Sequence, residues 1–241
     1  MSSLVTDPRP VAVQNGDAAL LVAWQHPETR RYRLLGRAVA SDDGYHFEYF
    51  AAMQSEPDFR PIPGFSDPHK TYTSKVLFPL LSGRIMSTSR PDRSEWLQRL
   101  ELDDDAAPFE ILGHSFGKRV ADTYEFFDEP EIDLLQGTLT FVVPVHGLRY
   151  MTSAAQEYVD RSLTKGDSLD AVAEPENAAD SRAVGLWAGA HKIGFVPAPV
   201  LDYVGMLAKS GTFSARVVRR NPKSEGSHTR VVTQLVWRQD S

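Results

Sequence analysis

Hydrophobic and polar positions alternate with period two over much of the chain, the pattern of half-buried strands. Residues 19–24 and 31–39 read as two strands on either side of the polar turn His26-Pro27-Glu28-Thr29. Tyr45-His46-Phe47-Glu48-Tyr49-Phe50 alternates aromatic with polar side chains and predicts a third strand. Pro57, Pro61, Pro63 and Pro68 mark residues 57–70 as an extended surface connection, because proline disfavours helix at itself and at the residue before it. Helical signals follow at 74–78, closed by Pro79, and at 91–102, where Trp96, Leu97 and Leu100 share a face. Residues 103–108 read as a turn.

Beyond Gly137 the texture changes. Residues 138–145 are a β-branched run, and 154–163 predict a short amphipathic helix with Tyr158, Val159 and Leu163 inward. Strands are expected at 168–174, 182–187 and 192–196, the last two joined by the hairpin-length Ala188-Gly189-Ala190. A helix over 198–209, ended by Gly211, would carry Leu201, Val204 and Leu207 on one face. Residues 212–220 and 230–238 alternate as strands around the polar turn 221–229. Short strands, two helices and Gly-marked turns in this span point to a small OB-like β-barrel. The fold class is therefore α+β in two domains, 1–136 and 137–241.

Composition narrows the function classes. The chain has 241 residues, 41% of them apolar, enough for packed cores. The absence of cysteine excludes disulfide scaffolds, cysteine-based zinc or iron–sulfur sites and thiol catalysis. No apolar run approaches the ~18–20 residues of a membrane span. The start, Met1 to Pro10, lacks a signal-peptide pattern, so a cytoplasmic protein with no membrane contact is expected. The net charge of −6 argues against a protein that coats nucleic acid, yet it is unevenly spread. Residues 1–136 hold 14 basic and 22 acidic side chains, a net of −8, whereas 137–241 stand at +2. The acidic runs at 101–105 and 122–133 lack the ligand spacing and glycine of a calcium loop and read as solvated surface or linker. No metal or other cofactor is expected.

Gly113-His114-Ser115-Phe116-Gly117 is a literal G-x-S-x-G, the nucleophile elbow of α/β-hydrolases. That elbow requires a parallel sheet of alternating strands and helices, which the surrounding pattern lacks, so the match reads as chance and a serine hydrolase through Ser115 as a distant alternative. None of the seven histidines forms H-E-x-x-H or an i, i+4 pair; His46 and His191 fall in predicted strands, and no G-x-x-x-x-G-K-[ST] loop occurs. No catalytic residue is assigned, and a non-enzymatic protein is expected.

Three segments of the C-terminal half fall in a recognisable order: Val145-His146-Gly147-Leu148-Arg149-Tyr150-Met151-Thr152, then Glu174-Pro175-Glu176-Asn177-Ala178-Ala179-Asp180-Ser181-Arg182-Ala183-Val184, then Lys192-Ile193-Gly194-Phe195-Val196-Pro197. In order and spacing this resembles the HIRAN family. The resemblance implies a modified OB-type barrel and, by analogy with the family's fork-remodelling helicases, binding of the 3′ end of single-stranded DNA. A strand end needs a cation for phosphate, an aromatic face for a base and acceptors for a terminal hydroxyl. Arg149 would supply the cation and Tyr150 the stacking face; Asn177 and Asp180 would bind the sugar end, and Phe195 would flank the pocket. Met151 stands where the eukaryotic helicase members carry a second aromatic, and Ala179 where some place a stacking ring, so base contacts would be fewer. Arg216, Arg219, Arg220, Lys223 and Arg230, on the hairpin 212–238, are further candidates for phosphate contact.

Segments of the N-terminal half, Tyr45-His46-Phe47-Glu48-Tyr49, Phe78-Pro79-Leu80-Leu81 and Pro108-Phe109-Glu110-Ile111-Leu112, resemble the small N-terminal subdomain of HipA-type toxin kinases. The kinase core's catalytic segments have no counterpart. This implies a docking module, so residues 1–136 are a candidate surface for a protein partner, with DNA the expected partner of the barrel. The alternative is an interaction or antitoxin-like protein with no DNA affinity.

Overall fold

The first three alternating segments pair in register as an antiparallel sheet in the computed structural model, which describes residues 17–54, 59–119, 122–206 and 210–240. β1 (Ala18–Gln25), β2 (Tyr32–Ser41) and β3 (Gly44–Tyr49) pair consecutively, followed by the short α1 (Ala51–Gln54). β4 (Tyr72–Ser74) joins the free side of β3. Three helices then precede the last strand: α2 (Pro79–Ser82), α3 (Arg93–Arg99) and α4 (Pro108–Ser115). β5 (Tyr124–Asp128) returns to pair with β1, giving the order β4-β3-β2-β1-β5. Phe47, Tyr49, Leu20, Val22 and Phe126 of the sheet pack with Phe109 and Leu112 of α4. Ile111 turns instead towards Leu97 and Leu100.

Four expectations for this half are corrected. The proline-rich stretch is not merely a surface connection. Pro57 lies outside the described residues, but Ile62 and Phe65 are buried in the core. Tyr49 explains why: its hydroxyl accepts from the Ile62 N–H at 2.6 Å and donates to the Phe65 carbonyl at 2.8 Å, satisfying two backbone groups that burial would otherwise strand. Residues 74–78 are not helical; Phe78 is extended (ψ 139°) and Pro79 begins α2 rather than ending a helix, as suits a residue without an N–H. The helix expected over 91–102 is confined to α3, with Leu97 inward as predicted. Finally, 122–133 is not a solvated linker. Its first part is β5, with Glu125, Phe126 and Phe127 buried, and three carboxylates in or beside that strand have partners far along the chain. Asp122 meets Arg84 at 2.7 Å, Glu125 meets Lys118 and Tyr32 at 2.6 Å, and Glu129 takes a forked contact from Arg37. The run 101–105 is exposed apart from Leu102.

The G-x-S-x-G segment ends a helix instead of beginning one. Ser115 is the last residue of α4, and Phe116 and Gly117 follow with φ of 58° and 53°. Both glycines have packing reasons. A Cβ on Gly113 would lie 2.0 Å from the Asp128 carboxylate, and one on Gly117 would lie 2.6 Å from the Phe126 ring.

The chain divides between Glu129 and Pro130, ahead of the compositional break at Gly137, because β6 (Glu131–Asp133) pairs with β7 (Thr138–Pro144). A 3-10 turn (Leu148–Tyr150) and α5 (Ser153–Arg161) follow. β8 (Ser168–Ala173), β9 (Val184–Ala188) and β10 (His191–Phe195) form a meander, α6 (Ala198–Met206) crosses next, and β11 (Gly211–Arg220) and β12 (Val231–Gln239) make the long hairpin. The sheet order is β10-β9-β8-β11-β12-β7-β6, with every pair antiparallel. One further bridge, His146 to Phe195, joins the continuation of β7 back to β10 and closes six of the strands into a barrel. The OB-like expectation fits this closure. Val159 and Leu163 are buried as expected, while α6 buries Pro199, Val200, Tyr203 and Val204 rather than a face through Leu201. Leu207 and the end of that helix, like the start of the chain at 1–16, lie outside the described residues. Among the described residues no helix is long and apolar enough to cross a membrane.

Asp128 provides a test of the N-terminal packing. Burial pushes its carboxyl up from an ordinary 3.8 to about 6. The folded chain therefore holds a proton that the unfolded chain releases, so this contribution is complete below about pH 4 and is lost as pH rises through about 6. Asp128→Asn should flatten denaturation midpoints between pH 4 and 8 and raise stability at pH 8 by about 2–3 kcal/mol. Identical pH profiles for the two proteins would contradict this packing.

Candidate nucleic-acid interface

The barrel seam sets the position of the first motif. His146 and Phe195 exchange backbone hydrogen bonds of 3.0 and 2.9 Å, and immediately afterwards Gly147 adopts φ 82° to start the 3-10 turn. A Cβ at Gly147 would come within 3.2 Å of the Phe195 ring, so glycine lets the turn lie against that ring. The turn is held from behind by α5. Thr152 caps the helix by accepting from the Ala155 N–H, and Gln156 donates to the Met151 carbonyl at 2.9 Å. Arg149 and Tyr150 thus project into solvent. Tyr150 is 71% exposed, and the Arg149 guanidinium lies 4.6 Å from its ring centroid while also donating to its hydroxyl. A large aromatic left in water with a cation on its face is poised to stack and to meet a phosphate.

The second and third motifs join this turn through a chain of contacts. Asn177 donates to Glu174 at 3.1 Å, and Glu174 pairs with Lys192 at 2.5 Å. The Lys192 ammonium sits 4.0 Å above the Phe195 ring, which closes the path back to Gly147. Burial works against ionisation of Glu174, but the hydrogen bonds from Lys192 and Asn177 outweigh it and hold the carboxyl below its ordinary value. Lys192 and Glu174 received no role from the sequence, although both lie inside the quoted motifs; their pairing links two strands and has no local signature. Trp187, paired across from Lys192, carried no signal either, and its indole N–H is buried without a partner among the described residues.

The remaining expected residues are placed differently. The Asn177 side chain accepts from the backbone N–H of Ala179 and Asp180 at 3.0 and 3.3 Å, so part of its capacity shapes its own loop. Asp180 is gripped on both oxygens by Arg182, which also reaches Asp202 at 2.9 Å. The hydrogen bonds that Arg182 donates to Asp180, supported by Asp202, raise its guanidinium further above the ordinary range. Asp180 therefore enters the site as half of an ion pair and not as a lone carboxylate. The residues of the basic hairpin fall into two groups. Arg219 and Arg230 are buried, and Arg230, Lys223 and Arg220 converge on Asp160 at the end of α5. The carboxylate holds Arg230 inside, whereas Lys223, 87% exposed and 3.9 Å from it, and Arg220, which donates to the Asp160 backbone carbonyl, stay at the surface. Arg216 is exposed on β11.

An antiparallel OB-like barrel carrying an exposed cation–aromatic turn at its closing seam places the C-terminal unit among small closed β-barrels. Residues 138–236 match the family model of the HIRAN domain. Two solved structures are similar. One is a protein from Lactobacillus plantarum, at 19% identity over 44% of this chain and 100% of that one, with a TM-score of 0.30. The other is the HIRAN domain of human HLTF, at 19% identity over 43% of this chain and 78% of that one, with a TM-score of 0.29. No curated protein matches the chain.

Gly194 tests the seam. Its φ is 150°, and a Cβ there would lie 2.3 Å from the His146 carbonyl oxygen. Gly194→Ala should cost about 1–3 kcal/mol in strain, visible as a lower thermal midpoint. A wild-type midpoint would show that the bridge does not constrain the barrel.

Proposed function

We propose that this chain is a non-enzymatic DNA-binding protein whose C-terminal barrel grips single-stranded DNA at an exposed 3′ end. The observation that supports it most is the convergence just described: three motifs separated in sequence are joined by one chain of contacts, with Tyr150 exposed, Arg149 above its ring and Phe195 against Gly147 at the start of the same turn. The base of the terminal nucleotide stacks on Tyr150, and Arg149 neutralises the adjoining phosphate. Asn177 and the Asp180–Arg182 pair line the sugar end, where the remaining carboxylate lone pairs accept from a 3′-hydroxyl. A 3′-phosphate would press added negative charge on Asp180. The non-enzymatic part of the reading draws support from the helix-terminal setting of Ser115, which is not the strand-to-helix turn of a nucleophile elbow. The HipA-like N-terminal half serves in this reading as the docking module for a protein partner.

Fluorescence anisotropy with labelled oligonucleotides tests the reading. Tyr150→Ala should weaken binding to a single strand with a free 3′-hydroxyl by about 5- to 150-fold, the equivalent of ~1–3 kcal/mol of stacking. A 3′-phosphate on the same strand should also weaken it. Equal affinity for the two ends would remove end recognition, and unchanged binding by Tyr150→Ala would remove the site.

A further inference from the structure

We propose that Lys192 is a displaceable latch, which Glu174 parks over the Phe195 ring in the free protein and which moves to a DNA phosphate on binding, uncovering the ring for a base. The proposal rests on the DNA-binding reading and goes beyond it by assigning two residues a role in how the strand is admitted.

Three features carry it. First, the parked position blocks the site. An ammonium 4.0 Å above the Phe195 centroid covers one face of a half-buried ring, unlike Arg149 over Tyr150, whose 71% exposure leaves room for a base. Second, the parking place is built into the sheet. A Cβ on Gly185 would lie 2.3 Å from the Glu174 carboxylate oxygen and 3.1 Å from Lys192 Cε, so glycine in β9 makes the hollow that holds the pair. Third, the latch can open. The Lys192 and Glu174 side chains are 22% and 23% exposed, so water reaches both, and the lysine stem is long and flexible. Glu174 keeps its hydrogen bond from Asn177 when the cation leaves, so its charge is not stranded. A backbone phosphate offers the ammonium an equivalent charge-assisted acceptor, and exchange between the two is close to balanced.

The latch makes Glu174 a competitor of the DNA. Anisotropy with a single-stranded oligonucleotide bearing a free 3′-hydroxyl, titrated at several salt concentrations, measures that competition. Glu174→Gln should bind about 3- to 10-fold more tightly at ~0.1 M salt, with a salt slope steeper by up to ~0.7, because no released carboxylate is left to take up a salt cation and offset the counterion freed by the Lys192 contact. The gain should vanish in a Lys192→Met background, and Glu176→Gln, an exposed neutralisation on the same loop, should stay near wild type. A gain for Glu174→Gln no larger than that of Glu176→Gln, or one that persists without Lys192, would overturn the latch. Thermal melts establish that each variant is folded; should Glu174→Gln fail to fold, Lys192→Met must by itself lower the slope relative to wild type, and an unchanged slope overturns the proposal. Failure of the wild-type protein to bind any DNA would overturn the DNA-binding reading and the latch together, a result distinct from failure of the latch alone.

Discussion

His146 and Phe195 exchange two backbone hydrogen bonds, and this bridge converts an open antiparallel sheet into a barrel. Without it β10, and the part of β7 beyond its short pairing with β6, would be edges with unpaired backbone groups. With it, the first and third motifs are brought together, and the turn after His146 is laid against the Phe195 ring. The bridge needs glycine on both sides of the seam. Gly194 allows the strands to approach, and Gly147 makes the turn and admits the ring. Strand closure therefore also brings together the first and third motifs, which lie about 45 positions apart in the chain.

Polar groups at the site are arranged in pairs. Lys192 is matched by Glu174, Arg182 by Asp180 and Asp202, and Arg230 by Asp160. Partly buried charges are tolerable in such pairs, and each pair also fixes a loop or helix to the barrel. The modest +2 of the C-terminal half is the sequence-level trace of this arrangement. A surface of that kind does not attract a polyanion over long distances. Under the proposed function, selectivity rests on the exposed Arg149–Tyr150 unit and the Phe195 ring rather than on net charge.

Period-two patterning made most of the strands legible, from β1 to β3 and from β7 to β12, because strands with one buried face write that face into every second residue. The order of the C-terminal motifs made the barrel legible as well, and it named residues that the fold links in one chain of contacts. The misreadings share a cause: a residue's environment was decided by a partner far along the chain. Nothing near Asp122 to Asp128 announces Arg84 or Tyr32, so an acidic run looked solvated although its middle is a buried strand. Nothing near Ile62 announces the Tyr49 hydroxyl, so a proline-rich segment looked peripheral. Arg219 and Arg230 counted as free cations until the fold set them inside, with Asp160 of α5 holding Arg230. Glu174 and Lys192 were visible as motif letters, but their contact exists only once β9 and β10 are paired.

The central claim is that one connected surface, assembled at the barrel seam, receives the DNA strand. Hydrogen-exchange mass spectrometry of the full chain, with and without a saturating single-stranded oligonucleotide bearing a free 3′-hydroxyl, tests it most directly. The account predicts added protection in peptides covering 146–151, 174–184 and 191–196, with residues 18–54 unchanged. Protection that is absent from those three segments, or confined to the β11–β12 hairpin, would contradict it.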